Sequence, residues 1–153
     1  MSEQKQSMVT LINGDIFSSN AQTIVNTVNC VGVMGKGIAL EYKKRYPDMF
    51  LKYKEICNKK QLDIGKLWLY KGPDKWVLNF PTKKDWRNPS EVEYLILGLD
   101  KFVKTYKEKG ITSIAFPLLG ANNGGLSKDT SLAIMKQYLN KCDIDVYICD
   151  NRL

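Results

Sequence analysis

The apolar pattern of this chain switches repeatedly between a period of two and a period near 3.6, and that alternation constrains the fold more than any other feature. Short β-branched and aromatic runs predict strands at 8–12, 23–28, 66–70, 76–80, 111–118 and 145–149. Helical spacing predicts a helix opened by Gly35-Lys36-Gly37 and closed by Pro47, then a second from 48 to about 59. Ser90 followed by Glu93 reads as a capping box for a long helix to about 109, with Leu95, Leu99, Phe102, Val103 and Tyr106 as its apolar stripe. Ser127 or a neighbour caps a last helix through Leu132, Ile134, Met135 and Leu139. Gly72-Pro73-Asp74 supplies the turn between two neighbouring strands. Strands separated by helices of this length need crossover connections. The expectation is an α/β fold, a three-layer α/β/α sandwich with a central mixed, mostly parallel sheet.

The 153 residues fit one domain, 1–153 with a core at about 8–150, and no linker-like shift or repeat divides them. No run approaches the ~20 apolar residues of a membrane span. The N-terminal stretch is polar, so the reading is a cytoplasmic protein. There is no histidine. Serine–histidine and cysteine–histidine catalysis within the chain are thereby excluded, and a metal site is not expected. Cys30, Cys57, Cys142 and Cys149 contain no C-x-x-C pair and are expected reduced. The net charge of +7 suits a polyanionic partner or simply a lysine-rich surface. Between residues 36 and 60 there are eight basic and three acidic side chains, read as solvated helix faces or an extended nucleic-acid track.

In parallel sheets, ligands sit beyond the carboxyl ends of the strands, so the loops leaving them carry the functional signal. Three stand out. Residues 29–38 hold Gly32, Gly35 and Gly37 between a strand and a helix, which suits close backbone approach to an anion or a tight structural turn. Neither a Walker A loop nor the dinucleotide fingerprint is present. Residues 117–126 hold Gly120, Asn122, Asn123, Gly124 and Gly125, and can form a nest of N–H groups for a diphosphate. Two such loops together suggest a phosphate-bearing ligand between them. The third, 79–87, follows a strand end with Thr82, Lys83, Lys84, Trp86 and Arg87. That mix suits single-stranded nucleic acid, or a basic loop with Trp86 folded onto the core. Asp15, at the first strand end, is a turn or N-cap residue or an acceptor for an exocyclic amine.

Asn13-Gly14-Asp15-Ile16, Val25-Asn26-Thr27-Val28-Asn29, Met34-Gly35-Lys36-Gly37-Ile38-Ala39 and the segment from Pro117 to Leu126 together resemble a macrodomain, the ADP-ribose-binding module. Asn79-Phe80-Pro81-Thr82-Lys83 with Trp86-Arg87 is similar to the macrodomain of DarG antitoxins, which are related to the ALC-like class. Those enzymes are DNA ADP-ribosyl glycohydrolases. They remove ADP-ribose from thymidine in single-stranded DNA and reverse the action of a DarT toxin.

The resemblance implies roles by position. Asp15 holds the adenine amine with help from Ile16. Thr27, Val28 and Asn29 line the site, and Asn29 faces the distal ribose. Gly35, Lys36, Gly37 and Ile38 wrap that ribose and the phosphates. Gly120, Ala121, Asn122, Asn123, Gly124, Gly125 and Leu126 complete the phosphate cradle, beside Thr82. Lys83 is the catalytic lysine, with Lys84 as the competing choice. Lys84, Trp86 and Arg87 face nucleic acid. The implied partners are ADP-ribose, ADP-ribosylated single-stranded DNA and a DarT-type toxin, with no cofactor, metal or membrane and a monomeric state.

Two departures bear on mechanism. Asn122 stands where the family often has glycine, and Gly124 stands where relatives that form a lysine–ribose adduct carry aspartate. An ammonium at Lys83 that stabilises the leaving base, with water as nucleophile, is therefore preferred over covalent attack. The alternatives are an ADP-ribose reader without catalysis, a hydrolase of ADP-ribosylated protein carboxylates, and a general single-strand binder.

Overall fold

The computed structural model describes residues 8–150. Six strands form one sheet: β1 (Val9–Ile12), β2 (Thr23–Val28), β3 (Trp68–Lys71), β4 (Trp76–Pro81), β5 (Ser113–Pro117) and β6 (Asp145–Cys149). Their order across the sheet is β1-β6-β5-β2-β4-β3. Only the β3–β4 pairing is antiparallel; the other four are parallel. The four α-helices are α1 (Gly37–Arg45), α2 (Pro47–Asn58), α3 (Val92–Thr105) and α4 (Lys128–Leu139).

Period-two alternation explains the layering. Ile24, Val77 and Ala115 point to one face, where Tyr42, Met49 and Tyr53 from α1 and α2 close the core. Their neighbours Val25, Leu78 and Ile114 point to the other, against Leu95, Leu99 and Phe102 of α3 and Met135 and Leu139 of α4. Burying each such side chain contributes about 1.5–3 kcal/mol, which dominates the weak intrinsic preferences of short helices. The mixed, mostly parallel sheet with two covered faces agrees with the sequence expectation.

Element ends differ in ways that have physical causes. Helix α1 begins at Gly37, because Lys36 is still extended at φ −161°. The capping box at Ser90 does not form. Glu91 is the N-cap of α3 and its side chain makes no capping bond. The Ser90 N–H instead donates to the Gly124 carbonyl at 2.8 Å, drawing that residue into the loop after β5. Ser127 does cap α4, its hydroxyl accepting from the Thr130 N–H at 3.1 Å. A 3-10 turn at Ile16–Ser18, absent from the sequence reading, is capped by Asp15, whose Oδ1 accepts from the Phe17 N–H at 3.0 Å.

Candidate functional site

The five mutually parallel strands end on one edge of the sheet, so the loops following β1, β6, β5, β2 and β4 lie side by side. Strands β2 and β4 stay paired through all six residues, and the pairing continues with Thr82 N–H to Val28 O at 2.9 Å and Cys30 N–H to Lys84 O at 3.1 Å. Strands β2 and β5 pair only at Thr23–Ile114 and Ile24–Ala115. Beyond that point they separate, and a cleft opens between their ends. One compartment, about 430 Å³, is walled by the loops after β2, β4 and β5. A second, about 370 Å³, lies over the ends of β1, β6 and β5. Ile38, Pro117, Leu118 and Asn122 border both, so the two form one elongated cleft sized for a small ligand.

Asn29 organises the loop after β2. Its Oδ1 accepts from the N–H groups of Val31 at 3.1 Å and Val33 at 3.3 Å, and its Nδ2 donates to Val33 O at 2.7 Å. The buried Tyr53 hydroxyl lies 2.8 Å from both the side-chain and main-chain oxygens of Asn29. A side-chain amide carries two N–H bonds, and one of them remains for a ligand. Asn29 thus lines the cleft, while most of its bonding capacity shapes the loop.

The segment after β4 brings Thr82, Lys83 and Trp86 to the cleft. Lys83 reaches across it. Its Nζ donates to Asn123 O at 2.7 Å and to Trp86 O at 3.4 Å. Partial burial, then the neighbouring Lys36 charge, lower the Lys83 amine below the usual lysine range. Lys84 is exposed and points outward, its amine 5.8 Å from the Tyr94 ring. That separates the two candidate lysines: Lys83 is in the cleft and Lys84 outside it. Trp86 is 49% exposed and borders the cleft, so it is not folded onto the core.

Arg87 is paired within its own turn. Its guanidinium is held by Asp85 through Nε at 2.9 Å and Nη2 at 2.7 Å, and it lies 5.6 Å over the Trp86 ring. The pairing lowers the Asp85 carboxyl to about 2. Arg87 braces the turn while its side chain stays 68% exposed, and two of its five N–H donors are spent on Asp85.

The loop after β5 forms the opposite wall through Gly120, Ala121, Asn122, Asn123 and Gly124. Gly124 is obligatory, since a Cβ there would run into the Gly120 carbonyl. Asn122 adopts an ordinary backbone conformation; Lys60 is the only non-glycine with positive φ among the described residues. Gly125 and Leu126 do not border the cleft. They close the loop from behind, with Leu126 N–H donating to Gly120 O at 3.0 Å. The Asn123 side chain crosses to the other wall, where a Cβ on Gly37 would lie 2.7 Å from its Nδ2.

Asp15 and Ile16 border the second compartment, with Phe17, Glu41, Arg45 and Asp150. Arg45 lies 4.1 Å over the Phe17 ring and pairs with Glu41 at 3.1 Å. Buried Asp150 pairs with Lys128 at 2.8 Å. The sequence reading missed Phe17, Arg45, Asp150, Val33 and the support from Tyr53. Nothing in their local pattern separates them from ordinary core or surface positions. Among the described residues no cluster of histidine, cysteine, aspartate or glutamate is gathered that could hold a metal ion.

A sandwich whose carboxyl-edge cleft is walled by two glycine loops fits the Macro domain, and the profile of that family matches residues 25–135. The chain belongs to the Macro domain family. Within it, the chain is 42% identical over 147 residues to the DNA ADP-ribosyl glycohydrolase of Mycobacterium tuberculosis, covering 92% of this chain and 42% of that protein. The macrodomain of M. tuberculosis DarG superposes with a TM-score of 0.85 at 42% identity, over 94% of this chain and 97% of that one. Thermosipho africanus DarTG in complex with ADP-ribose superposes with a TM-score of 0.90 at 39% identity, over 95% of this chain and 42% of that one. The chain thus spans about two fifths of the length of the first curated relatives, 42% of each.

Proposed function

We propose that this chain is a DNA ADP-ribosyl glycohydrolase that releases ADP-ribose from thymidine in single-stranded DNA and counteracts a DarT-type toxin. The observation that carries the reading is Lys83, whose amine reaches across the cleft to Asn123 O at 2.7 Å where the two glycine loops face each other. Its support from relatives is the shared name DNA ADP-ribosyl glycohydrolase at 42–44% identity, and a transferase–glycohydrolase fusion at 38%.

The adenine end of the ligand lies in the smaller compartment, where the Asp15 carboxylate and the backbone at Ile16 meet the exocyclic amine. The pyrophosphate lies between residues 35–38 and 120–124. The distal ribose faces Thr27, Val28, Asn29 and Thr82, and its anomeric carbon is turned toward Lys83. Cleavage breaks the bond between that carbon and a thymine nitrogen. The base leaves with the electron pair. The Lys83 ammonium, with three N–H donors, stabilises the charge developing on an adjacent thymine carbonyl. Water attacks the anomeric carbon and gives up a proton, and a proton is returned to the base. The products are ADP-ribose and unmodified thymidine.

The test is single-turnover release of ADP-ribose from an ADP-ribosylated thymidine oligonucleotide. Lys83→Ala lowers the rate by about a hundred-fold or more while free ADP-ribose still binds. An unchanged rate in that variant refutes the role of Lys83. Binding of ADP-ribose by the wild type without any cleavage refutes the enzymatic reading in favour of a reader module.

A further inference from the structure

The composition of residues 82–87 leads one to expect Trp86 against nucleic acid. The loop after β2 supplies its apolar neighbours. Val31 is 45% exposed, Val33 37% and Trp86 49%, three of the eight large apolar side chains left exposed among the described residues. Val31 and Val33 lie on the same loop, the one that follows β2. Val33 and Trp86 both border the larger compartment, beside Lys83. The loop bearing the valines is tied to the segment bearing Trp86 by Cys30 N–H to Lys84 O at 3.1 Å and Cys30 Sγ to Lys83 O at 3.5 Å. The bonds from Val31 and Val33 N–H to Asn29 Oδ1 keep that backbone turned inward.

Charge is arranged behind these apolar lips. Lys84 is exposed on the Trp86 side. Lys36 and Lys54 are exposed on the valine side, and Gly32 packs on Lys54, whose Cα and Cγ lie 3.6 Å from the position of a Cβ there. The acid within the Trp86 turn, Asp85, is neutralised by Arg87, and Arg87 in turn braces the indole. An apolar edge flanked by cations matches a nucleobase flanked by two phosphates.

We propose that Trp86 and the Val31–Val33 edge form a slot that grips the modified base, with the strand crossing the cleft mouth so that its flanking phosphates meet Lys84 on one wall and Lys54 on the other. Resting on the DNA reading above, it makes base grip the feature that selects an ADP-ribosylated nucleotide over an ADP-ribosylated carboxylate. A thymine methyl gains from an apolar lip as it does in groove recognition.

The experiment is equilibrium binding, in the Lys83→Ala background, of an ADP-ribosylated thymidine oligonucleotide and of free ADP-ribose. Trp86→Ala weakens oligonucleotide binding about ten-fold or more while ADP-ribose binding changes far less. Trp86→Phe restores most of the loss. Lys54→Ala and Lys84→Ala each reduce the slope of log affinity against log salt by about 0.7. The slot is refuted if Trp86→Ala leaves oligonucleotide binding unchanged, or if it weakens both ligands equally, which makes Trp86 a plain cleft wall. It is also refuted if neither lysine variant alters the slope. Failure of the wild type to cleave sinks the enzymatic reading alone, because the slot is read from binding.

Discussion

Replacing Gly37 by alanine tests the description of the cleft at its narrowest point. Gly37 has φ +63°, and an L-residue in that left-handed region costs about 1–2 kcal/mol. For a chain of 153 residues, 1 kcal/mol corresponds to about 2–4 °C, so Gly37→Ala lowers the melting temperature by about 2–8 °C. The second effect is local. The new Cβ would lie 2.7 Å from Asn123 Nδ2, which must move. Asn123 stands between the two glycine loops, its main-chain carbonyl holding the Lys83 amine at 2.7 Å and its side chain reaching Gly37. A displaced Asn123 side chain that loses about one hydrogen bond to the ligand weakens the grip on ADP-ribose by up to about ten-fold. Calorimetric melting and titration with ADP-ribose separate the two effects. In an Asn123→Ala background, Gly37→Ala still lowers the melting temperature but causes little further loss of binding, because the clash is gone. If Gly37→Ala alone melts within a degree of the wild type and binds ADP-ribose normally, both the backbone strain and the crossing of Asn123 are refuted.

Two further outcomes follow from the charges in the site. The Lys83 amine is held below the usual lysine range by burial and by Lys36, and the proposed chemistry uses its cationic form. Single-turnover rates therefore fall as pH rises through that lowered value, and Lys36→Ala moves the fall to higher pH; a rate that climbs over the same range indicates a neutral, nucleophilic amine instead. Asp85→Asn removes the carboxylate beside the Arg87 guanidinium, so the salt dependence of oligonucleotide binding steepens by up to about 0.7, and an unaltered slope contradicts the view that Asp85 offsets the Arg87 charge.

The layers of the fold were legible because they rest on periodicity. Ile24 and Val25 point to opposite faces, and so do Val77 and Leu78, as an alternating strand demands. The glycine loops were legible for the same local reason, since Gly37 and Gly124 hold positions that a side chain would disrupt. What could not be read was anything decided by tertiary neighbours. The Ser90–Glu93 spacing matches a capping box, yet Ser90 is drawn away by the Gly124 carbonyl. The Lys83-Lys84 pair is locally ambiguous, and only the turn through Trp86 shows which amine faces inward. Arg87 reads as a free cation until Asp85, two residues earlier, is seen to fold back onto it. Tyr53 reads as one more apolar helix position, because its hydroxyl meets Asn29 only once α2 is docked.

The loops that wall the larger compartment hang from three adjacent strands, β5, β2 and β4. Neighbouring strands in a sheet stand about 4.8 Å apart, a spacing set by the backbone and indifferent to side-chain identity. The sheet therefore acts as a ruler for the gap, about 10 Å between the outer two anchors before the strands splay. Point substitutions within the strands leave that gauge as it is. A descendant of this protein that came to accept a bulkier or slimmer nucleotide would have to do so by lengthening or trimming loops, and insertions and deletions are where its specificity should be sought.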